Sequence, residues 1–157
     1  MEEPHVLDFG QLKRCSLFGG VTEQAFEMIR PYIRFMHFEA GTSIVTEGEV
    51  NDRIYFIESG AVEILKWMYR TGEPEQQQLI VMKPGDTFGE MELVDIQPCA
   101  ATVRALEPTD TLSLSNRDLY KVSKLDMKTY ALLVMNLARE ISRRLRHMDD
   151  MIAGTKP

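Results

Sequence analysis

Apolar positions recur at helical spacing only near the two ends of this chain; between them the pattern shortens to strands. Phe9, Leu12 and Cys15 stand at i, i+3 and i+6, one face of a helix. Ser16 to Gly20 then breaks the period. Thr22 is suited to cap a second helix, with Glu23 in the first turn where a negative charge favours the dipole. Ala25, Phe26 and Ile29 form its buried stripe, and Pro31 closes it. Helices are therefore predicted within residues 8–34.

From Met36 the grammar is that of strands and turns. Ile54–Ile57 and Ala61–Leu65 flank Glu58-Ser59-Gly60, which reads as a hairpin with a glycine turn. A longer turn at residues 70–75 leads to a strand at Gln78–Met82, and Lys83-Pro84-Gly85-Asp86 is a Pro-Gly turn. Thr102–Leu106 and Thr111–Leu114 bracket one more turn at residues 107–110. Strands at this spacing with no long helix between them predict an antiparallel sandwich or roll, over about residues 36–114.

Helical spacing returns after Ser115, which with Asp118 resembles a capping box. A short helix to about Lys124 is followed by a long one, capped by Asp126 and stopped near Ala153 by Gly154. Its apolar residues fall in two heptad rows: Met127, Val134, Ile141, Met148, and Tyr130, Leu137, Arg144, Met151. Ala131, Ala138, Leu145 and Ile152 widen the stripe, and Arg144 alone is out of character. Such a stripe either packs on the chain's own sheet or forms a parallel two-helix seam. The heptad register favours the seam, with Met127, Tyr130, Val134, Leu137, Ile141 and Met148 as the dimer helix.

Composition narrows the function. The chain has 157 residues, 44% hydrophobic and 27% charged, enough for a single domain with its own core. No apolar run reaches a membrane-spanning length, and the acidic start is unlike a secretory signal. Two cysteines far apart make neither a disulfide framework nor a metal motif, so a reduced, cytoplasmic setting is expected. Residues 1–123 hold 11 Lys/Arg against 20 Asp/Glu, and residues 124–157 hold 7 against 4. An acidic body argues against nonspecific nucleic-acid binding. Arg139, Arg143 and Arg146, with Arg144 and His147 nearby, read as a solvated flank that suits a helix C-terminus. His5, His37 and His147 form no metal-ligand pattern, and no nucleophile elbow or Walker loop is present, so neither a metal site nor an enzyme is expected.

The informative segment is Phe88 to Val103. A glycine turn opens a short helix at Glu90, and a turn at Pro98 returns the chain to a strand. Gly89 and Pro98 alone could simply punctuate two turns, while amides at a helix start attract anions. Together with Leu17-Phe18, Gly41, Gly48, Gly60, Gly85, Phe88-Gly89-Glu90, Pro98 and Ala101-Thr102-Val103, the segment resembles the cyclic-nucleotide-binding domains of catabolite activator proteins and protein kinase A regulatory subunits. The resemblance covers about residues 15–150. It implies an eight-stranded antiparallel β-roll, mainly β, with N-terminal helices and a long C-terminal helix that serves as dimer interface and lid. It also implies a ligand such as cAMP or cGMP held by a cassette comprising Gly89, Glu90, Met91, Cys99, Ala100 and Ala101. In the family the glutamate matching Glu90 takes the ribose 2′-hydroxyl, and the amides matching Cys99 to Ala101 surround the cyclic phosphate.

Two positions depart from the family. Cys99 stands where an arginine neutralises the phosphate, and a guanidinium fork is the group that gives a buried phosphate paired, charge-assisted bonds. Glu92 stands where the family holds a small residue, and a carboxylate there repels an anion unless it faces solvent. Cys99 reads as an apolar filler, and Arg104 is not expected to replace the arginine, because strand alternation points it elsewhere. The expected function is a non-catalytic sensory domain, dimeric, with weakened affinity for cyclic nucleotides. The alternative is a dimerising scaffold with a vestigial pocket. Family transcription factors continue into a helix-turn-helix domain, for which the residues up to Pro157 leave no room, so DNA binding by this chain is not expected.

Overall fold

Asp8 caps the first helix, α1 (Phe9–Lys13), by accepting from the Gln11 amide at 2.8 Å. Leu12 and Cys15 turn inward from this segment. A 3-10 turn at Ser16–Phe18 follows, and Thr22 then accepts from the Ala25 amide to cap α2 (Glu23–Ile29). The computed structural model describes residues 7–69, 72–95 and 97–154, without the side chains of Glu92 and Leu93. The expectation for the Glu92 carboxylate and part of the 70–75 turn therefore lie outside the described residues.

Eight strands follow among the described residues: β1 (Arg34–Phe38), β2 (Ser43–Val45), β3 (Arg53–Ser59), β4 (Val62–Met68), β5 (Glu75–Met82), β6 (Thr87–Phe88), β7 (Thr102–Ala105) and β8 (Thr109–Ser115). They form two four-stranded sheets, ordered β1-β8-β3-β6 and β2-β7-β4-β5, and every pairing is antiparallel. This is the mainly β roll that the pattern predicts. One expectation is overturned: β3 and β4 are not a hairpin. β3 pairs with β8 and β6, whereas β4 pairs with β5 and β7. Gly60, at φ +82°, carries the chain from one sheet to the other, and a Cβ there would strike the Pro108 carbonyl and Thr109. The same residue type serves either kind of turn, so the local sequence did not separate them.

α3 (Glu90–Asp95) interrupts the strands between β6 and β7. After β8, Ser115 accepts from the Asp118 amide at 3.0 Å and starts α4 (Asn116–Leu125). Asp126 caps α5 (Met127–Ala153), which ends at Gly154 in the left-handed conformation.

Two apolar clusters divide the interior. The first joins α1, α2, the outer face of the β1-β8-β3-β6 sheet and α5 through Leu12, Phe26, Phe56, Leu112, Leu133 and Leu137. The second fills the space between the sheets with Val45, Tyr55, Val62, Phe88, Cys99 and Val103 among others. Asn136 fastens α5 to the N-terminal segment. Its buried amide donates to the carbonyls of Leu17 and Gly19, both at 2.8 Å. Ser16 adds a hydroxyl bond to Glu140.

This docking corrects the expected seam. Leu137 is buried in the chain's own core and Tyr130 packs against it, on the side of α5 that Asn136 fastens to the N-terminal segment. The face left outward by α5 carries Met127, Ala131, Val134, Ala138, Leu145, Met148 and Ile152, with Ile141 shared between this stripe and the core. Their alternating spacing of four and three is the knob pattern of a coiled coil.

Candidate functional site

The segment from β6 through α3 to β7 is shaped first by Gly89. Its φ is +81°, and a Cβ at that point would collide with the Arg53 carbonyl and crowd Asn51. The Asn51 amide bonds the Arg53 carbonyl at 2.6 Å and reaches the Gly89 carbonyl at 3.4 Å. The turn is therefore braced from the loop before β3. Beneath it the Tyr55 ring stacks on Phe88, with centroids 4.9 Å apart and planes 11° from parallel. Burial, the largest influence, raises the Tyr55 phenol above its ordinary value, so it stays protonated and neutral.

Glu90 opens α3 with its side chain almost completely buried. Its carboxylate accepts from the Arg144 guanidinium, and a second Arg144 nitrogen donates to the Thr87 carbonyl. The fork thus ties α5 to both ends of the Gly89 turn. This corrects the placing of Arg144 on a solvated flank: a cation inside the apolar register of α5 is there because it meets a buried carboxylate. Its neighbours do stay outside, with Arg143 pairing with Glu140, Arg139 with Asn136, and Arg146 with Ser142. Beside this contact the Thr87 hydroxyl is buried with no hydrogen-bond partner among the described residues. Such a group has capacity for a ligand or water.

At the far end of the segment, the Cys99 side chain is buried in the cluster between the sheets. The Cys99 amide donates to the Glu49 carbonyl and its carbonyl accepts from the Gly48 amide, each at 2.8 Å. The turn at Gly48 is thereby laced to the segment. The Cys99 amide, which the resemblance assigns to phosphate, is thus engaged with the Glu49 carbonyl. Ala100 is exposed, Ala101 half-buried, and Met91 lies more than half exposed at the rim.

Two further cations border the segment. Arg104 on β7 bonds the buried Glu63 of β4 through Nε at 2.8 Å and Nη2 at 2.7 Å, and Gln78 of β5 completes that cluster. It lies on the opposite face from Val103, away from position 99. Lys66 of β4 donates to Glu47 at 2.6 Å and to the Ala100 carbonyl. Glu47 also accepts from the Trp67 amide at 3.0 Å. Burial pushes the Glu47 carboxyl up, but the bonds from Lys66 and Trp67 outweigh it and hold the group below its ordinary value. Among the described residues no three His, Cys, Asp or Glu gather as a metal site, and no helix is long and apolar enough to cross a membrane.

Sequence reasoning singled out Glu90 and Cys99 but did not bring Arg144, Thr87 and Lys66 to this segment, where the structure places them. For Arg144 the signal was visible as the one charged residue in an apolar register. For Lys66 it was the alternation Val62, Ile64, Lys66 along one face of a strand.

The described residues thus form a β-roll interrupted by a glycine-turned helix, with a long terminal helix packed against it. The sequence profile described as "Cyclic nucleotide-binding domain" matches residues 35–126, more than half of the chain. The chain belongs to the cyclic nucleotide-binding domain family. It is 29% identical over 139 residues to the Cyclic AMP receptor protein of Thermus thermophilus, covering 88% of this chain and 61% of that one. It is 32% identical over 106 residues to a cAMP-dependent protein kinase regulatory subunit of Yarrowia lipolytica, covering 68% and 26%. Among solved structures, a cyclic nucleotide-binding domain from Methylobacillus flagellatus superposes with a TM-score of 0.81 at 23% identity, covering 94% and 82%. The chain spans about three fifths of the length of the curated receptor and regulator it matches first.

Proposed function

We propose that this chain is a non-catalytic sensory domain that holds a cyclic nucleotide such as cAMP weakly between the Gly89 turn and α5, and reports its presence through α5. The observation that carries the reading is the buried Glu90 held by Arg144 of α5. A ligand that takes Glu90 through a ribose hydroxyl must act on the same carboxylate that positions the last helix. The unpartnered Thr87 hydroxyl beside it supports the presence of a polar ligand. Affinity is low because Cys99 supplies no charge and its amide is engaged with Glu49. Losing one partner of a desolvated ion pair costs about 3–5 kcal/mol, about a hundredfold or more in binding. In this reading the domain pairs with a second copy through the outward stripe of α5, Met127, Ala131, Val134, Ala138, Leu145, Met148 and Ile152, with Ile141 shared.

The burial of Cys99 among apolar side chains favours one competing reading, a scaffold whose pocket no longer binds. Thermal denaturation with cAMP, cGMP and a panel of small anions separates the two. A ligand at a hundredfold excess over its dissociation constant stabilises by about 2.7 kcal/mol. Stabilisation by a cyclic nucleotide at millimolar concentration supports the sensor. No shift with the native chain or with Cys99→Arg, Glu92→Ala supports the scaffold.

A further inference from the structure

We propose that Lys66 is the cation of the ligand site, replacing from β4 the charge that position 99 does not supply. The inference rests on the sensor reading above and names the residue that recognises the ligand's phosphate. Val62 and Ile64 of β4 face the cluster between the sheets that also contains Cys99. Strand alternation puts Lys66 next in that inward row. The pairing agrees: Ile64 lies opposite Val103, an inward residue, and Leu65 opposite Thr102. Lys66 then touches the carbonyl of Ala100, the residue after Cys99. Lys66 is thus a cation on an inward row, at the end of the cassette that lacks its arginine.

Arg104 and Glu63 show what a purely structural ion pair looks like in this sheet. They stand on the opposite face, and the Arg104 side chain bonds Glu63 through two nitrogens. Lys66 differs in geometry and in chemistry. An ammonium carries three donors, of which Glu47 and the Ala100 carbonyl engage two. Its side chain remains 39% exposed, open to a ligand at the rim. Glu47 has the Trp67 amide as a second donor, so it keeps one partner when the ammonium turns toward a phosphate. The ligand class that follows is a phosphate ester whose charge meets Lys66, while its sugar hydroxyl meets Glu90.

The test is calorimetric titration of the native chain, Lys66→Met, Glu47→Gln and Cys99→Arg with cAMP, and with adenosine as the counterpart lacking phosphate. Lys66→Met is expected to weaken cAMP about tenfold and leave adenosine unchanged, as for loss of one charge-assisted bond. Glu47→Gln keeps an acceptor for the Trp67 amide but frees the ammonium, and is expected to strengthen cAMP several-fold. A lysine that merely pins β4 to the cassette would make both variants weaker. Equal cAMP affinity in native and Lys66→Met overturns the assignment and leaves the sensor reading standing. So does binding by Cys99→Arg with none by the native chain. Absence of binding by native and Cys99→Arg alike overturns both. Should Lys66→Met fail to fold, Glu47→Gln decides, and unchanged or weaker cAMP binding overturns the assignment.

Discussion

Arg144, near the end of the last helix, holds Glu90, at the start of the cassette helix, 54 positions earlier in the chain. The carboxylate is 2% exposed and the guanidinium 32%, so the pair is desolvated mainly on the acid's side. Arg144→Ala leaves a buried carboxylate without its cation. The unfolding free energy is expected to fall by about 3 kcal/mol, the lower end for breaking a buried pair, because the arginine is partly solvated. Glu90→Gln in the same chain should recover part of that loss. Urea denaturation of the two single variants and the double variant measures the coupling, and strictly additive losses would contradict the pair.

Asn136 is a second polar link between α5 and the rest of the chain, beside the Ser16–Glu140 bond. Its amide satisfies two backbone carbonyls, Leu17 and Gly19, from a buried position. Asn136→Ala should cost about 2–3 kcal/mol, two hydrogen bonds at about 1 kcal/mol each and a penalty for the stranded carbonyls. Chemical denaturation reads this directly, and a loss below about 0.5 kcal/mol, the ordinary range for a surface substitution, would show that the anchor is unimportant.

How much of this was legible beforehand depended on distance along the chain. Thr22, Ser115, Asp126 and Gly154 mark helix ends through contacts within four residues, and the sequence shows such signals directly. Strand positions followed from alternation in the same way. Pairing did not: β3 and β4 lie in separate sheets, and the partner that separates them, β8, comes some fifty residues later. In the site, Glu90 was readable because it adjoins the Gly89 turn. Arg144 showed as a break in the heptad pattern, but the carboxylate that explains the break is remote. Leu137 and Tyr130 fitted the heptad as well as Val134 does. The row that faces inward is the one on the side of the remote contacts of Asn136, Glu140 and Arg144, none of which the local pattern shows.

The outward stripe predicts assembly. Val134→Asp with Leu145→Asp places charges on the exposed row and should give a folded monomer from a native dimer. Leu137→Asp, by contrast, puts a charge into the chain's own core and should unfold it. Sedimentation with circular dichroism distinguishes the two. A native chain that is monomeric at tens of micromolar contradicts the seam.

His37 makes stability depend on pH at the β1–β8 edge. Its Nδ1 lies 2.6 Å from the Asp110 carboxylate, and Glu39 lies beyond Nε2 at 3.5 Å. The bond to Asp110 raises the imidazole above its ordinary 6.5, with slight desolvation against it and Glu39 adding to the rise. A raised value in the folded state means that the contribution is complete below 6.5 and is lost as pH rises through the folded value. His37→Gln should therefore flatten the stability profile above 6.5. Proton NMR of the imidazole is expected to show a midpoint above 6.5, and one at or below it contradicts the pairing.

In the proposed sensor, Glu90 receives a cyclic nucleotide although Cys99 cannot pair with its phosphate. Calorimetric titration of cAMP into the native chain, side by side with Glu90→Gln, tests that most directly. The expected result is a dissociation constant weaker than about one micromolar, because no guanidinium fork stands at position 99, and a further loss of binding in Glu90→Gln. No heat with cAMP or cGMP at millimolar concentration, a submicromolar constant for the native chain, or an affinity indifferent to Glu90→Gln would contradict it.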